Sequence, residues 1–245
     1  MRRKNKTKKS RMVLIFILLF GMTAFIINEI DVDVGQPLNQ PTEITTEEDS
    51  ILLLNVRSKI EKSNVYIKAN YENGYEYGSG VVIHEDNFFY YAITNEHIID
   101  GNDHVINSYE VMTYDQITSS FEIISQSEEL DLALIKFTKS NRQMIEPLSI
   151  IKENVNINEL VVSIGNPQGN IAFVTYGSIL SITELKELEL THDVYEHNAT
   201  LENGSSGGAL VDVNGNLIGI NTWRLNGKYY AIRASVINDY ILNNL

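Results

Sequence analysis

The feature that most constrains the fold is a series of short apolar or alternating segments, separated by turn signals about every eight to twelve residues. These segments lie at residues 64–69, 80–84, 88–93, 130–137, 160–164, 179–182, 209–213, 216–220 and 228–232. Asn214-Gly215 separates two of them, and Asn-Gly is the strongest short signal of a hairpin. Because no helix–strand alternation is present, the sequence predicts an all-β sandwich or barrel.

Two segments at the ends of this region have the apolar spacing of helices instead. Residues 51–62 predict a short helix before the first strand, and residues 234–245 predict an amphipathic helix after the last one. The chain has 245 residues, of which 43% are hydrophobic. It is therefore long enough for one sizeable core or for a single double barrel of about 200 residues.

Composition excludes several classes of protein. The chain has no cysteine, so a disulfide framework, a thiolate metal site and a cysteine nucleophile are all excluded. We expect neither a metal nor a cofactor. The net charge is −13, and the first eleven residues carry seven positive charges and no acid. The remainder is more acidic still and would repel phosphates, so we do not expect a nucleic-acid partner.

The N-terminal region predicts a membrane anchor. Residues 1–11 form a basic segment, and an uncharged apolar run of sixteen residues follows at 12–27. As a helix this run is about 24 Å long, slightly less than a typical hydrocarbon core. The basic end should stay in the cytoplasm, which places the rest of the chain outside the membrane. We predict a transmembrane signal anchor at residues 12–28, with a cleaved signal peptide as the alternative.

The next segment predicts a spacer. Residues 29–49 contain seven acidic residues, two prolines and no Lys or Arg. Such a composition is typical of a disordered, self-repelling linker. The sequence therefore predicts a folded domain at residues 50–245.

A glycine-rich turn contains the candidate nucleophile. In Gly204-Ser205-Ser206-Gly207-Gly208, the glycines would allow backbone N–H groups to point at a developing oxyanion beside Ser206. The same residues also match Gly-x-Ser-x-Gly, the nucleophile elbow of α/β-hydrolases.

The order of the histidines separates these possibilities. An α/β-hydrolase needs a histidine after the serine. All five histidines precede Ser206: His84, His97, His104, His192 and His197. The subtilisin arrangement needs a helix that carries the serine, whereas a predicted hairpin follows it here. The order His, Asp, Ser of chymotrypsin remains.

His97 and Asp131 are the best candidates for the partners of Ser206. His97 lies where an apolar strand breaks into a short polar turn, a position that can hold an imidazole at the edge of a cleft. Asp131 begins a mostly apolar strand. A carboxylate there is costly to bury unless it accepts hydrogen bonds from a partner such as an imidazole.

Six stretches in this order resemble trypsin-like serine peptidases of the HtrA/Deg branch. They are residues 78–81 (GSGV), 94–97 (TNEH), 131–135 (DLALI), 163–167 (SIGNP), 204–210 (GSSGGAL) and 219–222 (GINT). The resemblance covers roughly residues 50–245. It implies a chymotrypsin-like fold of two antiparallel six-stranded β-barrels with a C-terminal helix.

The resemblance also implies catalytic roles. His97 would be the general base and later the acid, Asp131 would orient its imidazole, and Ser206 would attack the scissile carbonyl. The N–H groups of Gly204 and Ser206 would form the oxyanion hole.

Substrate-binding residues follow from the same resemblance. Thr200, Ile220, Asn221 and Thr222 should line the pocket and the strand that holds the substrate as an additional β-strand. Ser205 replaces the aspartate with which digestive relatives pair a newly cut N-terminus, so we do not expect activation by such a cut. We also expect no PDZ domain of the kind that HtrA proteins usually carry.

These expectations predict a membrane-anchored, extracytoplasmic serine endopeptidase, from a bacterium, that acts on proteins or peptides and can form oligomers. The alternative is a catalytically silent protein that binds peptides or acts as an adhesin at the cell surface.

Overall fold

The computed structural model describes residues 47–101, 104–141, 144–151, 155–187 and 190–245, with the backbone alone at residues 47–50, 187 and 190. The predicted segments 1–11 and 12–28, and the predicted linker up to residue 46, lie outside these ranges. The anchor and the linker up to residue 46 therefore stay predictions, whereas the last three residues of the predicted linker, 47–49, are helical. In the described part of the chain, no helix has both the length and the apolar composition needed to cross a bilayer.

Six strands form a first closed barrel. They are β1 (Asn64–Tyr71), β2 (Gly74–Glu85), β3 (Phe89–Thr94), β4 (Ile106–Thr113), β5 (Thr118–Ser127) and β6 (Leu132–Thr138). They pair in the order β1-β2-β3-β6-β5-β4, and β4 returns to β1. Every pairing within this barrel is antiparallel.

Six further strands form a second closed barrel. They are β7 (Leu160–Gly165), β8 (Phe173–Glu187), β9 (Leu190–His197), β10 (Ala209–Val211), β11 (Leu217–Leu225) and β12 (Lys228–Arg233). Their order is β10-β11-β12-β9-β8-β7, again antiparallel throughout. The prediction of two antiparallel six-stranded barrels is therefore confirmed.

The alternation of side chains explains why these strands close into barrels. In β1, Val65, Ile67 and Ala69 are fully buried inside the first barrel, whereas Tyr66 and Lys68 between them are only partly buried. This two-residue period gives each strand one apolar inner face and one outer face.

An apolar cluster lies where the two barrels meet, and the two helices complete it. Helix α1 (Glu47–Ile60) contributes Leu53, Val56 and Ile60, and helix α2 (Ala234–Leu242) contributes Ile237 and Tyr240. Helix α2 follows the second barrel but reaches the first, since the Tyr240 hydroxyl lies 2.8 Å from Ser125 Oγ on β5. The predicted C-terminal helix is confirmed, and α1 begins four residues earlier than residue 51.

The sequence did not predict β4, β5 and β9, nor most of β8. Their outer faces carry many polar side chains, as in Thr118, Ser120 and Glu122 of β5. A strand with one face in solvent and few apolar residues on the other shows only a weak alternation of apolar and polar residues. Pairing with strands that are distant in the sequence stabilises its extended conformation.

Candidate active site

His97 and Asp131 meet because their strands pair. His97 lies in a 3-10 helix of one turn, Glu96–Ile98, that follows β3. Asp131 directly precedes β6. Strands β3 and β6 are antiparallel neighbours with Thr94 opposite Ala133, so the end of one and the start of the other coincide. His97 Nδ1 lies 2.9 Å from Oδ1 and 3.0 Å from Oδ2 of Asp131. The other ring nitrogen, Nε2, is left for a proton from a nucleophile.

The Asp131 carboxylate has the partners that its burial requires. Asp131 is only 7% exposed. Besides the imidazole, it accepts the His97 backbone N–H at 3.1 Å and the Thr222 hydroxyl at 2.6 Å. The Asn95 amide also donates to the Asp131 backbone carbonyl at 2.9 Å. The expectation that this carboxylate needs hydrogen-bond donors is met on several sides.

The carboxylates around His97 favour the protonated form of its imidazole. Burial lowers the pKa of His97, but the hydrogen bond and the charge of Asp131, followed by Asp100 and Glu96, outweigh burial. The net result is a pKa raised above the ordinary 6.5. Within the described ranges, no group of three or more His, Asp or Glu side chains is arranged to hold a metal ion.

Ser206 lies in a turn that bonds to both barrels. Its carbonyl accepts the Ser79 N–H of β2 at 2.8 Å, and its hydroxyl donates to the Thr222 carbonyl of β11 at 3.0 Å. A side chain at Gly78 of β2 would contact both the Ser206 carbonyl and the Ile98 side chain beside His97. Thr222 therefore links the three predicted residues, since its hydroxyl bonds the Asp131 carboxylate that holds His97 and its carbonyl bonds Ser206.

A hydrogen bond from the loop after β7 fixes the peptide between Asn203 and Gly204. The Asn203 carbonyl accepts the Gln168 N–H at 3.1 Å. Because a trans peptide directs its C=O and N–H in opposite directions, this bond turns the Gly204 N–H the other way. Gly204 has φ +98°, and a Cβ there would lie 2.8 Å from both the Asn166 carbonyl oxygen and the Tyr77 ring. Only glycine fits this position without strain.

Asn166 is a structural residue of the site to which the sequence assigned no role. It is fully buried after β7, donates to the Val65 carbonyl at 2.8 Å, and accepts from the Asn64 amide at 2.7 Å. Its N–H donates to Ser79 Oγ at 2.8 Å, and that hydroxyl donates to the Gly204 carbonyl at 2.7 Å. One amide therefore ties both barrels to the nucleophile turn. An Asn-Pro step looks like an ordinary turn in the sequence, so only the fold reveals this role.

The residues predicted to bind substrate fall into two groups. Ile220 and Asn221 are fully buried, and the Asn221 amide donates to Ser163 Oγ at 2.9 Å. Thr200 is exposed, and Thr222 contacts Asp131. The register of β11 against β12 shifts between Asn221 and Arg224. Thr222 borders the nucleophile turn, because its carbonyl accepts the Ser206 hydroxyl, while the side chains at 220 and 221 support the strand from inside.

Comparison with known proteins finds one matching family and several similar chains. The model of the family described as "Trypsin-like peptidase domain" matches residues 78–220. A probable serine protease do-like of Buchnera aphidicola is 35% identical over 151 residues, which are 59% of this chain and 29% of the relative. A probable periplasmic serine protease do/HhoA-like of Haemophilus influenzae is 33% identical over 147 residues, or 59% and 30% of the two chains. The chain spans less than a third of the length of these two relatives.

Solved structures with the same fold include two proteases. The active form of the Rv3671c protease from M. tuberculosis has a TM-score of 0.69 at 23% identity, covering 80% of this chain and 86% of that one. The HtrA-type protease AlgW, solved with a tripeptide, has a TM-score of 0.68 at 25% identity, covering 78% and 62%.

Proposed function

This chain belongs to the trypsin-like peptidase family, and on that basis we propose that it is a serine endopeptidase with a triad of His97, Asp131 and Ser206. One observation carries the proposal. The buried Asp131 carboxylate bonds His97 Nδ1 on one side and the Thr222 hydroxyl on the other, and the Thr222 carbonyl holds the Ser206 hydroxyl.

The mechanism follows from these contacts. The Ser206 O–H turns from the Thr222 carbonyl to His97 Nε2, which takes the proton as the oxygen attacks the scissile carbonyl. The N–H groups of Gly204 and Ser206 bind the oxyanion, and Asp131 stabilises the imidazolium. His97 then protonates the leaving amine. A water molecule, deprotonated by His97, hydrolyses the acyl-enzyme, and Ser206 recovers its proton.

The proposed substrates are unfolded or exposed protein segments. A polypeptide can bind as an additional strand only where a strand has a free edge. Strand β11 pairs with β10 only through residues 217–220, so in the described part of the chain residues 222–224, next to Ser206, have no strand partner on that side. The AlgW structure with a tripeptide supports peptide binding in a protein of the same fold.

The proposed location is the outer side of a membrane, with residues 12–28 as a single-pass anchor. The basic residues 1–11 beside an apolar run support this, and the Haemophilus influenzae relative is described as periplasmic. The test is extraction of membranes at alkaline pH, followed by protease treatment of intact cells. The proposal predicts a membrane-bound chain whose domain is digested from outside. A chain released at alkaline pH or protected in intact cells would contradict it.

Proteolysis tests the activity. The full-length chain and Ser206→Ala are incubated with denatured casein, and the products are identified by mass spectrometry. We expect internal cleavage by the wild type and none by the variant. Casein that stays intact with both proteins, yet binds to them, would favour the catalytically silent peptide-binding alternative.

A further inference from the structure

The outer face of the first barrel carries a cluster of tyrosines beside the active site. Tyr66 of β1 and Tyr75 of β2 each have their ring centroid 6.0 Å from that of Tyr77. Met112 of β4 is opposite Tyr66 in the register. Tyr75 is 49% exposed, so a large aromatic ring faces solvent at the edge of this cluster.

A surface cavity of about 240 Å³ opens among these side chains. Its lining residues are Tyr66, Lys68, Tyr75, Glu110, Met112 and Thr118. It is smaller than the sites of drug-sized ligands, which start at about 300 Å³, and its size suits one large side chain.

The charges at the cavity are compensated locally. Lys68 Nζ lies 4.5 Å above the Tyr75 ring and 3.9 Å from a Glu110 carboxylate oxygen. Burial, with smaller effects of Tyr75, Tyr77 and Glu110, raises the pKa of Tyr66 to about 12, so its hydroxyl stays neutral. The cavity therefore presents aromatic rings and a thioether rather than a net charge.

Tyr77 connects this cavity to the nucleophile turn. A Cβ at Gly204 would lie 2.8 Å from the Tyr77 ring, so the ring packs directly against the proposed oxyanion loop. The turn is bonded to β11 through Thr222 and to β2 through Ser79. If the substrate segment before the scissile bond lies along β11, the segment after it leaves on the side of β2, across Tyr77.

We propose that the cavity binds an aromatic or aliphatic side chain of the substrate segment that follows the scissile bond. This inference rests on the proposed function, because continuity with the proposed cleft identifies the occupant. The Tyr77 ring packs against Gly204, and its centroid lies 6.0 Å from those of Tyr66 and Tyr75, which line the cavity. At about 3.3 Å per extended residue, the cavity is reached about three or four residues after the cleaved bond.

Peptide binding to the full-length Ser206→Ala protein tests the cavity without catalysis. The probes are twelve-residue fluorescent peptides of Ala and Ser, with Val before the central bond and one Phe at successive positions after it. Fluorescence anisotropy should give the tightest binding with Phe at the third or fourth position, about fivefold tighter than with Phe at the first. Adding Tyr75→Ala should abolish this preference. Adding Tyr114→Ala, which removes a similarly exposed tyrosine outside the lining, should preserve it.

Equal binding of all the peptides, no binding at all, or an unchanged preference in the Tyr75→Ala protein would overturn the inference. Cleavage of the same peptides by the wild type separates it from the proposed function. Cleavage without the positional preference would leave the peptidase proposal standing and remove the cavity. Preferential binding without any cleavage would support the cavity and contradict the peptidase proposal.

Discussion

At the residue scale, Asp131 has a backbone conformation that most residues avoid. Its φ is +50°, in the left-handed region that costs an ordinary side chain about 1–2 kcal/mol. Asp and Asn adopt this region more readily than others. The hydrogen bonds of the carboxylate with His97 and Thr222, to which this backbone directs it, offset the strain.

Asp131→Asn therefore removes the charge of this side chain while it keeps the shape and the backbone conformation. Asn tolerates the same φ, so the melting temperature should stay close to that of the wild type. The amide cannot hold His97 in the tautomer that accepts a proton from Ser206, and kcat should fall about 10³–10⁴-fold. Peptide hydrolysis and thermal unfolding measure the two effects. A variant that keeps more than a tenth of the wild-type kcat would contradict the assignment of Asp131.

The raised pKa of His97 predicts the pH dependence. The general base must be neutral, and the surrounding acids keep the imidazole protonated to a higher pH than usual. We therefore expect kcat/KM to increase with pH along a limb whose apparent pKa exceeds 6.5. The measurement is kcat/KM for a fluorogenic peptide between about pH 5 and 10. A limb centred at or below 6.5 would show that another group controls the rate.

Residues differ in how far the sequence could predict their roles. Candidates for the triad could be named because each lies in a short motif whose order is informative, and the structure places two of them, His97 and Asp131, in contact. The contact of Thr222 with Asp131 and the bonds of Asn166 to the first barrel join residues 91 and about 100 positions apart. Separations of this size carry no local pattern.

At the element scale, strand β2 is the support on which the nucleophile turn rests. Ser79 is fully buried at the centre of this contact. Its N–H bonds the Ser206 carbonyl, and its hydroxyl lies between the Asn166 N–H and the Gly204 carbonyl.

Replacing this hydroxyl should loosen the turn. In Ser79→Ala the buried Asn166 N–H loses its acceptor, which should lower the free energy of unfolding by about 1–3 kcal/mol. We expect kcat/KM to fall as well, because Gly204 is less well positioned. Ser120→Ala, an exposed serine on β5, is the matched control and should change neither quantity appreciably. Denaturant unfolding and peptide hydrolysis test both proteins, and equal values for them would refute this role of Ser79.

Elements could be predicted where the local signal was strong. The Asn214-Gly215 turn does separate β10 from β11, and Gly215 has φ +73°. Within it, Asp212 accepts the N–H groups of Asn214 and Asn216. Strands β4 and β5 lacked such a signal, because their partners rather than their own residues decide their conformation.

At the scale of the whole molecule, the second barrel contains a buried histidine that titrates with folding. His197 is fully buried at the end of β9, with its ring 6.2 Å from that of Tyr229. Burial lowers its pKa from 6.5 to about 3, against a smaller opposite effect of the Ala199 backbone. Between these two pH values the unfolded chain binds a proton that the folded chain does not.

Acid should therefore destabilise the fold through His197. As the pH falls from 6.5 towards 3, the free energy of unfolding should decrease by an additional amount on the order of a few kcal/mol. Above pH 6.5 this residue should contribute no pH dependence. Urea unfolding of the wild type and of His197→Leu at several pH values measures the difference. Identical slopes against pH in the two proteins would contradict the effect.

The proposed function requires that this double barrel hold an activated serine at position 206. The most direct measurement is covalent labelling of the full-length protein with a fluorophosphonate, which reacts with activated serine hydroxyls. We predict stoichiometric labelling of the wild type and of Ser205→Ala, which removes the adjacent serine, and none of Ser206→Ala. An unlabelled wild type, or equal labelling of Ser206→Ala, would contradict the claim.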